Sequence, residues 1–307
     1  MEKQSAYYQN IYRRYLEYMR ISGYKKDTQK QYGCAVSDFL HWLEANSVVT
    51  LQSLTPEHIQ QHYRYLCIRP NKIYAGILSD TTVSHSLCAI TLLLSYCEQT
   101  GQISKNPISG LVFPKPAYRH RELVTQTEIK ELYQAAQTLR ERALLGLYYG
   151  CGLRKKEGGQ LNTNDIHYKD QLLYVRTGKG DKRRVIPMSS GVTEDLHNYY
   201  QQEREQYSKE RCPLPDEKGN PFLLNKRGMR MRGMAANKIL STLIKRCENK
   251  AIEEKKICIH SLRHSIATHL LENGLSVEYV RDFLGHQKLD TTQIYTRISK
   301  QQLLHIS

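Results

Sequence analysis

Five short clusters carry side chains able to grip an anionic centre and move protons around it. In chain order they are Gly152-Leu153-Arg154-Lys155-Lys156-Glu157, Thr177-Gly178-Lys179-Gly180-Asp181-Lys182-Arg183, His260-Ser261-Leu262-Arg263-His264, Leu284-Gly285-His286 and Thr291-Thr292-Gln293-Ile294-Tyr295. A guanidinium is a planar fork that meets two anionic oxygens at once. An imidazole exchanges protons near neutrality, and a phenol of pKa near 10 is a nucleophile only when helped. Each cluster also has a plain reading. An arginine after a Gly-Leu turn is a solvated side chain, and a lysine in Gly-Lys-Gly is a hairpin tip. One tyrosine among 22 is packing.

The elements that must hold these clusters are legible in the apolar spacing. The first 115 residues read as helices. Asp27 is placed to cap a helix with Tyr32, Val36, Phe39, Leu40 and Leu43 on one face. Thr55-Pro56 opens a second through about Cys67. A third runs from about Asp80 on a stripe of Val83, Leu87, Ile90 and Leu94 until Gly101 stops it. The proline- and base-rich stretch from Gly110 to Arg121 is the domain boundary, either a strap near an anionic partner or a solvated linker. The expected division is 1–115 and 116–307.

Beyond it, Thr125 with Glu128 forms a capping box, and a helix from about Leu139 ends near Cys151-Gly152. Asp165–Tyr168, Leu172–Arg176 and Arg184–Pro187 read as a small antiparallel meander. Helices then resume, with the charged stretch Gln201–Asn220 expected as a surface insertion. His260 and Arg263, three residues apart on a helix, project from one face. Gly158 and Gly159 cost a helix about 1 kcal/mol each relative to alanine. They predict either an irregular helix after Glu157 or a loop around Arg154 that is mobile until its ligand binds.

Composition narrows the function classes. The 307 residues hold 45 Lys and Arg against 30 Asp and Glu, a net +15. Of this, +4 lies up to Lys115 and +11 beyond it. Such an excess suits a polyanion, because neutralised phosphates release their counterions. Eight scattered cysteines without a Cys-x-x-Cys pair argue against a disulfide framework or a cysteine zinc site. His260 and His264 have zinc-like spacing, but the protease signature needs Glu where Ser261 stands. His264 and His269 are therefore expected to pack or to support neighbours. No run of about 18 apolar residues suits a membrane span. Met1 to Asn10 lacks the apolar core of a secretory signal, so the expected location is cytoplasmic. No carboxylate cluster suits Mg²⁺ and no phosphate-binding Gly-x-x-x-x-Gly-Lys-Ser/Thr loop is present, so no metal and no cofactor are expected.

Taken together and in this order, the five clusters resemble the tyrosine recombinases, the phage-integrase-like family that includes the Xer-type enzymes. His260-Ser-Leu-Arg-His-Ser-Ile-Ala-Thr-His-Leu-Leu, with Leu284-Gly-His286 and Tyr295 downstream, is the most specific part. The resemblance spans about Leu123 to Ile298, and the N-terminal helices fit the family's core-binding domain more loosely. It implies a mainly α chain of two domains, an N-terminal SAM-like helical bundle and a mixed α/β catalytic domain with a small antiparallel sheet.

The implied activity is site-specific DNA recombination, in which Tyr295 attacks the backbone and holds the 3′ phosphate while strands exchange. Arg154, Arg263 and His286 would stabilise the pentacoordinate phosphorane. His260 would take the tyrosine proton and Lys179 would protonate the 5′ oxygen. Glu157 resembles the family's supporting carboxylate. Lys155, Lys156, Lys182, Arg183 and Arg184 are expected to contact the DNA backbone. The implied partners are double-stranded DNA with a specific target site and three further copies of the chain in a homotetramer. Exchanging a phosphodiester for a phosphotyrosyl ester conserves bond energy, so neither ATP nor metal is expected. The rival expectations are type IB topoisomerase-like relaxation and a catalytically silent DNA-binding protein of the same fold.

Overall fold

A computed structural model describes residues 5–71, 75–116, 122–176, 184–208 and 219–285. The chain divides into two compact units, Met1–Arg119 and His120–Ser307.

Among its described residues the first unit holds four α-helices, α1 (Ala6–Ile21), α2 (Lys26–Ala45), α3 (Pro56–Ile68) and α4 (Asp80–Gln99). Their apolar stripes turn inward as the 3–4 spacing requires. Val36, Phe39, Leu40 and Leu43 of α2 meet Ile90, Leu93 and Leu94 of α4, and all are fully buried beside Tyr8, Tyr15 and Met19 of α1. The start of α2 differs from expectation. Lys25 is its N-cap, and Asp27 sits inside the first turn, where its charge favours the positive end of the helix without capping it.

The second unit begins with α5 (Gln126–Gln134) and α6 (Leu139–Leu145). The Thr125–Glu128 capping box is formed: Thr125 N donates to Glu128 Oε2 at 2.7 Å and Glu128 N to Thr125 Oγ1 at 3.2 Å. The α6 helix continues as a π turn over Gly146–Gly150 and is followed by α7 (Lys155–Gln160). Strands β1 (Ile166–His167), β2 (Leu172–Val175) and β3 (Arg184–Pro187) form an antiparallel sheet in the order β1-β2-β3. Leu173 stands opposite Ile186 and Val175 opposite Arg184. Leu173, Val175 and Ile186 are buried, so this face of the sheet looks into the core.

Helices α8 (Ser190–Asn198), α9 (Arg204–Ser208), α10 (Gly233–Arg246), α11 (Lys250–Glu254), α12 (Ile259–Glu272) and α13 (Val277–Leu284) follow among the described residues. The expected surface insertion from Gln201 begins as helix, with Gln201, Gln202, Glu205 and Gln206 exposed as expected but Glu203 turned inward. A π turn over Tyr199–Glu203 runs from α8 into α9, and Glu203 is buried. Its Oε2 accepts the backbone N–H of Arg140 at 3.0 Å and its Oε1 the Tyr207 hydroxyl at 2.5 Å, so the segment is tied to the start of α6. Residues 209–218 of that stretch lie outside the described residues.

Among the described residues, no helix is long and apolar enough to cross a membrane. Fully buried residues of the larger core, from Leu132 of α5 to Leu262 of α12, come from the sheet and from helices on both sides of it in sequence. That pattern brings the site's segments together.

Candidate active site

The site is built where the chain turns out of the π turn. Gly152 adopts φ +57°, a backbone conformation that side chains strain, and this reverses the chain so that Leu153 is buried and Arg154 begins α7. Arg154 then uses Glu157, one turn on, twice. Its backbone N–H donates to Glu157 Oε2 at 2.8 Å and its Nη1 to Glu157 Oε1 at 2.6 Å. The carboxylate thus caps the helix and aims the guanidinium in one step.

The two glycines that follow are close-packing residues. A Cβ on Gly158 would lie 2.6 Å from the Cζ and hydroxyl of Tyr148, which is 1% exposed. A Cβ on Gly159 would meet the Met231 carbonyl at 3.3 Å. The helix is formed from Lys155 through Gln160, so in place of the expected irregularity both glycines lie in tight contact with the core.

Arg263 reaches the same place from α12. It is 4% exposed, and its Nη1 donates to the carbonyl of Gly152, its Nη2 to that of Leu284 at 2.6 Å. Its Nη1 also lies 3.9 Å from Glu157 Oε2. The start of α12 is pinned by Asn237 of α10, whose Oδ1 accepts the Ile259 N–H at 3.0 Å. His260, three residues before Arg263, is exposed, with its ring 5.8 Å from that of His264. His269 packs inward as expected, accepting or donating at Nδ1 to the Tyr149 hydroxyl at 2.9 Å, and burial pushes its pKa down to about 4.

The third strand of the arrangement is the end of α13. Gly285 caps it at φ +66°, and a Cβ there would meet Arg184 Cδ at 2.9 Å. A helix end leaves carbonyls without intrahelical partners. Here three of them accept from arginines: Phe283 from Arg184 Nε at 3.1 Å, Leu284 from Arg263, and Gly285 from Arg154 Nη2 at 2.8 Å. Positive charge at a helix C-terminus is electrostatically favoured as well. His286 is the next residue in sequence and lies outside the described residues, as do Lys179, Lys182, Arg183 and Tyr295.

Arg184, expected on the DNA backbone, has a side chain that is 10% exposed, and all three of its nitrogens have acceptors inside the protein. Besides Phe283, Nη1 donates to Glu157 Oε1 at 2.9 Å and Nη2 to Glu157 Oε2 at 2.8 Å. The signal was present in the strand pattern: Arg184 lies two residues before buried Ile186 and so shares its inward face. Lys155 and Lys156 flank this centre at the start of α7, Lys156 exposed and Lys155 with its aliphatic stem against Gly233.

Glu157 is the hub. Burial pushes its pKa up, but hydrogen bonds and charge from Arg184, with those from Arg154, outweigh that and hold it at about 2. A buried carboxylate that stays ionised well below neutral pH therefore organises arginines from three separate segments. Arg154, whose side chain is 20% exposed, keeps an edge toward solvent. Such a cluster presents fixed donors to an anionic oxygen without reorganising.

Comparison with known proteins agrees with this geometry. The phage integrase family matches residues 122–302, and the family's N-terminal SAM-like domain matches residues 11–102. Tyrosine recombinase XerD of Listeria innocua serovar 6a is 32% identical over 231 residues, covering 73% of this chain and 74% of that protein. Tyrosine recombinase XerD of Lacticaseibacillus casei is 30% identical over 298 residues, covering 95% of each. The Tn1549 transposon integrase, solved in complex with transposon right end DNA, shares the fold with a TM-score of 0.74 at 18% identity, over 95% of this chain and 96% of that one. The chain therefore belongs to the phage integrase family of tyrosine recombinases.

Proposed function

We propose that this chain cleaves and rejoins double-stranded DNA at a specific site, with Tyr295 as the nucleophile and a 3′-phosphotyrosyl ester as the intermediate. The observation that carries the reading is the convergence of Arg154 and Arg263 on Glu157 and on the carbonyls that immediately precede His286. Arg154 and Arg263 bind the non-bridging oxygens of the scissile phosphate, and His286 adds a third donor. Together they offset the charge of the phosphorane. His260, exposed one helical turn before Arg263, accepts the Tyr295 proton, and Lys179 delivers one to the departing 5′ oxygen.

Lys155, Lys156, Lys182 and Arg183 contact the backbone on either side. With positive charge supplied by side chains, the reaction runs without metal or ATP. Recombination takes four such active sites on two synapsed duplexes, hence a homotetramer on DNA, in the bacterial cytoplasm by kinship with bacterial recombinases.

The test is covalent trapping. Tyr295→Phe should bind target DNA with the parent's affinity and form no adduct on a denaturing gel. Adducts persisting in that variant place the nucleophile elsewhere. Relaxation of supercoiled plasmid by the parent with no exchanged products would instead favour a type IB topoisomerase.

A further inference from the structure

The geometry points to Arg184 as a positioning residue of this active site, one that orders the Arg154–Glu157 pair and the end of α13 without touching DNA. The role rests on the cleavage reaction proposed above. Arg184 is the first residue of β3 and stands opposite Val175, so it leaves the sheet on the buried face. Its two terminal nitrogens take both oxygens of Glu157 at 2.9 and 2.8 Å, and its Nε takes the Phe283 carbonyl at 3.1 Å. Glu157 in turn aims Arg154, and Phe283 lies three residues before His286. One planar side chain therefore fixes three things: the carboxylate, the helix end and the first residue after the segment 177–183 that carries Lys179.

The chemistry explains why arginine stands here. A carboxylate shared between two forks has each oxygen held from two directions, Oε1 by Arg154 and Arg184, and Oε2 by Arg184 and the Arg154 backbone. An ammonium is a point donor on a flexible stem and cannot span both oxygens and a carbonyl together. Gly285 completes the fit, since any side chain there would strike Arg184 Cδ. Small misplacements of a phosphate-gripping group cost large factors in rate, so loss of this brace should appear in the chemical step.

Single-turnover cleavage and DNA dissociation constants are measured on the full chain for the parent, Arg184→Met, Arg184→Lys, Glu157→Gln and the Arg184→Met/Glu157→Gln double variant. Each is held well below its own unfolding midpoint. Arg184→Met should cleave bound DNA roughly tenfold or more slowly while its Kd changes by less than about threefold. The double variant should be no slower than the slower single one, because the two residues act as a unit. Arg184→Lys should recover only part of the rate. A weakened Kd with a shallower salt dependence overturns the inference in favour of a DNA contact. Multiplying losses in the double variant also overturn it, as does an unchanged rate in Arg184→Met. A parent that forms no adduct overturns the reaction itself and the brace with it. A cleaving parent matched by Arg184→Met overturns the brace alone.

Discussion

Replacing Gly158 with alanine should destabilise the protein, although helix propensity favours the change by about 1 kcal/mol. The opposing cost comes from Tyr148. The new methyl would sit 2.6 Å from the ring's Cζ and hydroxyl and 2.7 Å from Cε1, a full ångström inside ordinary contact. Tyr148 is 1% exposed in the core, so its ring cannot swing into solvent to make room. Overpacking of this kind costs roughly 1–3 kcal/mol, and a clash this deep against a ring held in the core belongs in the upper part of that range, about 2–3 kcal/mol, which after the propensity gain leaves a net loss of roughly 1–2 kcal/mol. For a unit of this size that lowers the melting temperature by roughly 2–8 °C. Gly159→Ala is the internal control. Its methyl meets one carbonyl at 3.3 Å, a contact relieved by a few tenths of an ångström, so the propensity gain mostly survives. It should melt at or slightly above the parent. Thermal melts of the full chain, followed by circular dichroism, decide the matter. A Gly158→Ala protein that melts above the parent, or two variants that shift alike, would refute the close-packing account and return both glycines to a mobile loop.

Three further outcomes follow from the site. Lys179→Ala should cleave ordinary DNA very slowly yet cleave a substrate with sulfur at the 5′ bridging position near the parent's rate, since that leaving group needs no proton. Lys182→Ala should instead lose affinity and flatten the salt dependence by about one counterion, and sulfur rescue of Lys182→Ala rather than Lys179→Ala would reverse the assignment. Cleavage should survive EDTA, and loss on chelation restored by Mg²⁺ would remove the arginines from their role as the sole charge clamp. Glu157, held at about 2 against an ordinary 4.5, contributes stability that is complete above pH 4.5 and drains away as pH falls toward 2, roughly 3 kcal/mol in all. The stability gap between parent and Glu157→Gln should therefore narrow through that interval in acid melts, and a gap independent of pH would mean the carboxyl is not ionised by its arginines.

What lies close together along the chain was readable from the sequence. The stripes of α2 and α4, the Thr125–Glu128 box, the three strands and the order of the five clusters all depend on neighbours within a turn or two, where residue type dictates conformation directly. The expected grouping of Arg154, Glu157, His260 and Arg263 in one site came from resemblance, and spacing could offer only that His260 and Arg263 share a helix. The misreadings share a cause. Gly158 looked like a helix defect because the Tyr148 ring filling its place comes from an earlier turn of chain. Glu203 looked like surface because its partner, the backbone N–H of Arg140 at the start of α6, lies 63 residues away.

Arg184 looked like one more basic residue in a basic run. Its acceptors are Glu157, 27 residues back, and Phe283, 99 residues ahead. Arg154 meets Gly285 across 131 residues and Arg263 meets Gly152 across 111. No local preference encodes such pairs. They form because burying the apolar faces of α6, α10, α12 and the sheet in one core leaves a carboxylate and three helix-end carbonyls in need of donors, and the arginines are the side chains long enough to reach them.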